Sequence, residues 1–63
     1  MTNYTAAAAV TKVNSLGFTN VHLDETRTVT IHQNWLPTGE EYAEFRLARG
    51  KFKGSQVGSA YHR

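Results

Sequence analysis

Five cations, Arg46, Arg49, Lys51, Lys53 and Arg63, fall in residues 46–63, and no acid falls among them. Phe52 and Tyr61 are interleaved with these charges, and glycines at 50, 54 and 58 interrupt them. Ammonium and guanidinium groups neutralise phosphates, aromatic rings stack on bases, and glycine lets a backbone approach closely, so the mixture suits nucleic acid. On this reading Arg46, Arg49, Lys51, Lys53 and Arg63 contact phosphates and Tyr61 supplies a stacking ring. The competing reading is a solvated edge strand, because Lys and Arg on an edge discourage sheet-to-sheet aggregation. Gly50-Lys51-Phe52-Lys53-Gly54 is not a phosphate-cradling loop pattern.

A second group consists of Trp35 and Leu36 at a Pro-Thr-Gly turn, joined by Tyr42. Tryptophan and tyrosine dominate interface hot spots, which makes these three a candidate partner-binding surface. By strand parity, however, Trp35 falls on the same side as Val29, Ile31 and Gln33, where it would close the end of the core instead.

The third group, His22, Thr30, His32, Glu44 and Arg46, lies on the polar side of the same strands. Two imidazoles and a carboxylate could hold zinc, and a Glu-oriented His could act as a base. No recognised ligand motif accompanies them, and ordinary cross-strand polar pairs account for all five. No nucleophile elbow or metal-ligand helix is present. The expectation is a non-enzymatic binding protein with no metal and no cofactor.

These side chains depend on two turns for their placement. Pro37 presets φ for a turn over Leu36-Pro37-Thr38-Gly39-Glu40, and the hairpin it closes sets Gln33 opposite Ala43, Ile31 opposite Phe45 and Val29 opposite Leu47. A second turn at Arg49-Gly50 would set Leu47 opposite Phe52, so that Val29, Ile31, Ala43, Phe45, Leu47 and Phe52 share one face. A one-residue slip would turn the whole set outward. Thr38 with Glu41 also matches a helix capping box, and residues 39–49 contain good helix formers, so a helix competes there. The strand accounts for Leu47 and the turn together.

Upstream, Asn3 or Thr5 caps a helix reaching about Ser15, with Ala6, Ala9, Val10, Val13 and Leu16 as its apolar stripe and Leu16-Gly17-Phe18 as its stop. Residues 19–25 form a first strand, returned by a turn at Glu25-Thr26-Arg27 so that Leu23 faces Val29 and Val21 faces Ile31. A short edge strand near residues 51–57 and a flexible basic tail over 58–63 complete the chain. The fold class is α+β, one N-terminal helix on an antiparallel β-meander of three to four strands.

The 63 residues make one small domain, a size that buries only about 60% of its unfolded surface. With no cysteine, neither disulfides nor a thiolate metal site can staple it, and homodimerisation is the usual remedy. Absence of cysteine fits a reducing, cytoplasmic setting. Ala6-Ala7-Ala8-Ala9-Val10 lacks the basic leader and length of a signal peptide, and no run is long enough to span a bilayer. The net charge of +2 conceals a polarity: residues 1–45 set Lys12 and Arg27 against Asp24, Glu25, Glu40, Glu41 and Glu44, while all the remaining cations follow. Nucleic acid is therefore the first partner class. The second is protein, either another copy of the chain or a larger protein that it modulates, met through an open sheet edge such as strand 19–25 and the Trp35 region. Small chains with a polar sheet face are typical of accessory binding proteins, including those of phages and mobile elements, a fold-level analogy.

Overall fold

A computed structural model describes residues 2–62. Its elements are α1 (Ala6–Ser15), β1 (Asn20–Leu23), β2 (Val29–Trp35), β3 (Glu41–Leu47) and β4 (Gln56–Tyr61). They form one helix on a four-stranded antiparallel sheet of order β1-β4-β3-β2, with α1 touching the two outer strands. No helix among the described residues is long and apolar enough to cross a membrane.

The helix begins where Thr5 accepts the Ala8 N–H at 3.2 Å, satisfying one of the free donors of the first turn. It ends in a Schellman motif: Phe18 N–H donates to the Val13 carbonyl and Gly17 N–H to that of Asn14, both at 3.1 Å. Gly17 takes φ 95°, a conformation that side chains resist. That reversal drops Phe18 into the centre of the core, fully buried with Ala9, Val13, Val29, Ala43, Phe45 and Ala60. Leu16, expected on the helix's apolar stripe, is 41% exposed because the motif turns the chain away before its side chain is covered.

β2 and β3 pair in the register expected from the Pro-Thr-Gly turn, Val29 with Leu47, Ile31 with Phe45 and Gln33 with Ala43, so residues 41–47 are strand and not helix. Within the turn, Gly39 N–H donates to the Leu36 carbonyl at 2.8 Å and Leu36 N–H to that of Glu40 at 2.7 Å.

The outer pairings differ from expectation. β1 does not return beside β2; residues 24–28 cross the end of the sheet, and β1 pairs with β4, Val21 opposite Ala60 and Leu23 opposite Gly58. With β2, β3 and β4 forming a meander and β1 lying beside β4, the topology is a Greek key. Glu25 organises the crossing, accepting the Thr26 and Arg27 N–H groups at 3.1 Å and both the Nε and Nη2 of Arg27 at 2.9 Å. Residues 58–61, expected in a flexible tail, are part of the inner strand β4. The turn at Arg49-Gly50 is likewise not a tight hairpin: Leu47 exchanges backbone bonds with Gly54 and Ser55, not Phe52, which frees residues 48–53 as a loop. Phe52 is consequently 60% exposed and outside the core.

Gly58 explains why so weak a β-former can hold an inner position. A bulge sets Phe45 opposite Gly58 and Arg46 opposite Gln56, with Val57 the extra residue packed against the core. A methyl group on Gly58 would overlap the His22 carbonyl oxygen and stand 2.9 Å from Leu23 Cα. Because the obstruction is backbone, Gly58→Ala should push β1 off the sheet and cost about 1–3 kcal/mol, the usual penalty of overpacking. Thermal unfolding followed by circular dichroism measures this, and an unchanged midpoint would show that β1 is not held in this contact.

Candidate nucleic-acid interface

The outward side chains of the sheet form polar rows. His32 lies opposite Glu44 and Thr30 opposite Arg46, as expected, but His22 lies opposite Ser59 on β4, so two strands separate it from His32. The row is therefore His22, Ser59, Glu44, His32. Among the described residues no three His, Cys, Asp or Glu side chains gather as metal ligands would.

Glu44 is the pivot of this face and only 8% exposed. Its Oε1 accepts from Arg46 Nη2 at 2.7 Å and Nε at 3.2 Å and from Asn34 Nδ2 at 3.1 Å; Oε2 accepts from the Tyr42 hydroxyl at 3.3 Å. Hydrogen bonding to the Arg46 guanidinium holds the Glu44 carboxyl below the usual carboxylate range, overcoming the opposite pull of burial. The Tyr42 phenol is pushed up, first by burial and then by the carboxylate beside it. A carboxylate saturated with donors is a structural anion and a poor proton acceptor. His32 is engaged elsewhere, its Nε2 lying 2.9 Å from Thr30 Oγ1.

Arg46, expected as a phosphate contact, is braced on both sides: Glu44 neutralises it, and its Nη1 donates to the Gly54 carbonyl at 3.0 Å. It ties the sheet face to the base of the β3–β4 loop. Arg49, Lys51 and Lys53 all lie on that loop, exposed, with Arg49 beside Arg27 and Thr28 and Lys53 toward Arg46. Phe52 lies between the two lysines, with Lys51 Nζ 5.8 Å from its ring centroid, within cation–π range. The loop is ordered from within, Lys53 N–H donating to the Gly50 carbonyl at 3.2 Å and Ser55 N–H to that of Phe52 at 3.0 Å. A groove of about 1010 Å³ joins it to the polar face, lined by Thr30, His32, Glu44, Arg46, Lys53 and Gly54 among others.

Tyr61 is not part of this loop. It lies at the far end of β4, half-buried and stacked on Tyr42 with ring centroids 5.5 Å apart and planes 10° off parallel. Arg63 lies outside the described residues. Trp35, Leu36 and Tyr42 do not gather either, since Tyr42 is on the polar face whereas Trp35 is on the helix-facing side. Trp35 does not close the core: it is 66% exposed, because the β2–β3 hairpin runs past the part of the sheet that α1 and Phe18 cover.

Burial of Glu44 and exposure of Phe52 are the two features that sequence reasoning missed. The alternation Tyr42, Glu44, Arg46 on one strand face signals the first, and the glycines bracketing Lys51-Phe52-Lys53 signal the second.

No known protein family, curated protein or solved structure matches this chain.

Glu44 also gives the protein a definite acid response, together with Glu25, whose carboxyl the Arg27 hydrogen bonds hold down to about 2. Both carboxyls titrate below their unfolded values, so their contribution is complete above the ordinary Glu pKa of about 4.3 and is lost as pH falls through the folded values. Urea unfolding should show stability falling through this acid range. Glu44→Gln should lower stability at neutral pH and shrink the acid loss, leaving the part due to Glu25. An acid response unchanged by Glu44→Gln would mean that the Arg46 pair contributes nothing to folding.

Proposed function

We propose that this protein is a non-enzymatic nucleic-acid-binding module whose contact surface is the β3–β4 loop. The observation that carries the reading is Phe52, a large ring exposed between Lys51 and Lys53 on an ordered loop that also presents Arg49 and holds no acid. Exposed rings in water are unfavourable, and a base is a partner that covers such a ring while its phosphates meet the flanking cations. Each base face is available in a single strand and hidden in a duplex, which favours single-stranded DNA or RNA. Arg46 takes a supporting part, fixing the loop base through Gly54 and leaving the charge outside to Arg49, Lys51 and Lys53.

Titration of the chain against single-stranded and duplex oligonucleotides at several salt concentrations tests this. Three phosphate contacts on a single strand give log K against log salt a slope of about −2. Replacing Arg49, Lys51 and Lys53 with Glu should abolish binding, and Phe52→Ala should cost about 1–3 kcal/mol on single strands with little effect on duplex. Binding absent at low salt, or indifferent to these loop substitutions, would overturn the assignment.

A further inference from the structure

β2 and β3 stay in contact beyond the ends of the strands. The register that pairs Val29 with Leu47 continues one step, Ala48 N–H donating to the Thr28 carbonyl at 3.1 Å, and the next residues on the two chains are Arg27 and Arg49. Both are exposed, and with Thr26, Thr28 and Gly50 they line one hollow of about 410 Å³. Like charges set across from one another destabilise a fold, so two guanidiniums here are a feature that an anion between them would relieve. A Cβ at Gly50 would meet no atom within 4 Å, which leaves the hollow open on that side.

Glu25 neutralises Arg27 without hiding it. The Glu25 side chain is 12% exposed and that of Arg27 64%, so the pair turns its positive partner to solvent. Both carboxylate oxygens are already occupied, Oε1 by the Thr26 and Arg27 N–H groups and Arg27 Nε, and Oε2 by Arg27 Nη2. A guanidinium carries five N–H groups, and Arg27 spends two of them on Glu25, which leaves three for a ligand on a fork held in one orientation. Arg49 meets no acid among the described residues, so the net positive charge at the hollow is that of Arg49 alone. One uncompensated cation, a fixed fork and two threonine hydroxyls form a lining rich in donors. A phosphate group, whose oxygens can be shared between two guanidiniums and a hydroxyl, matches that lining.

We infer that this hollow is a phosphate-binding site, in which the Arg27 fork and Arg49 share one phosphate group and the threonine hydroxyls bond its remaining oxygens. The inference rests on the proposed function for its ligand: the phosphate is one carried by the strand whose base covers Phe52. The contact then extends from the β3–β4 loop onto the 24–28 crossing, and Arg27 joins Arg49, Lys51 and Lys53 in it. Glu25 is a positioning residue that aims the fork. An internal diester and a terminal monoester of the strand present charged oxygens to the same donors, and the experiment separates them.

Two titrations of the full chain test this. Inorganic phosphate, added at constant ionic strength, should move the amide resonances of residues 26–28, 49 and 50, and should leave them in place in the double variant Glu25→Gln with Arg27→Gln. That pair of changes removes the fork with no change in net charge. Single-stranded oligonucleotides should therefore bind the double variant about tenfold more weakly with the salt slope unchanged, a loss that general electrostatic attraction does not produce. Arg27→Lys keeps a cation beside Glu25 and should also lose affinity, because an ammonium lacks the fork. It carries the test if far-ultraviolet circular dichroism shows the double variant unfolded. Strands ending in a 5′-phosphate that outbind 5′-hydroxyl strands, in the wild type but not in the double variant, identify the monoester, and equal binding identifies the diester; either agrees with the site. Resonances indifferent to phosphate would overturn the inference, as would strands that bind wild type and both variants alike. Resonances that move with phosphate while no strand binds would uphold the hollow as a phosphate site and remove the nucleic-acid reading.

Discussion

The close backbone contact between β1 and β4 at Gly58 is what allows so short a chain to enclose a core. The chain must bring a four-residue strand against the sheet without disulfides, and it does so by placing a residue with no side chain where the His22 carbonyl and Leu23 Cα come nearest. Ala60 opposite both Val21 and Ala43 continues the same device with the next smallest residue. Small residues on β4 leave room above the sheet for large ones from its neighbours, and Phe18 and Phe45 fill that room. The helix completes the enclosure through Ala9 and Val13, again a small residue permitting close approach and a branched one filling what remains.

A consequence is that stability and surface chemistry are carried by different parts of the molecule. The core uses the helix and the strands as far as Val29 and Leu47, while the turn end of the β2–β3 hairpin and the loop beyond its open end lie outside it. One end holds Trp35, the other leads into the loop bearing Phe52, and both large rings are uncovered. Removing either aromatic from water would be worth roughly 1.5–3 kcal/mol to a fold of this size, a large fraction of its total stability. That neither ring is buried identifies them as the places where the chain forgoes folding energy, and each sits beside something a partner can use: cations for Phe52, an open strand edge for Trp35.

How much of this could be read from residues alone follows from which interactions are local. The β2–β3 hairpin was legible because its register is written twice, in the Pro-Thr-Gly turn and in the alternation of Val29, Ile31, Phe45 and Leu47. The Schellman stop at Gly17 was legible for the same reason, all its partners lying within six residues. β4 was not, because Gly58 and Ser59 are poor strand formers and their justification is a contact with residues 22 and 23, far away in sequence. Once β4 is misread as a tail, β1 has only β2 to pair with and Phe52 has only the core to enter. Those three errors are one error, the omission of a long-range pairing. Among the site residues, Arg49, Lys51 and Lys53 were legible as a basic group, whereas the neutralisation of Arg46 depends on Glu44 being buried beside it, which composition does not show.

The Arg46–Glu44 pair connects the halves of the molecule in a way that net charge conceals. Were Arg46 free, it would be the cation nearest the sheet and would draw an anionic ligand onto the polar face. Glu44, held at the centre of that face by Arg46, Asn34 and Tyr42, instead balances Arg46 locally. The remaining Nη1 bond to Gly54 then fixes where the loop leaves the sheet. Because the loop starts from a charge-balanced anchor, the uncompensated positive charge begins only at Arg49. The nucleic-acid contact proposed above therefore falls on the rim of the domain, where the exposed ring of Phe52 stands, and not on the sheet.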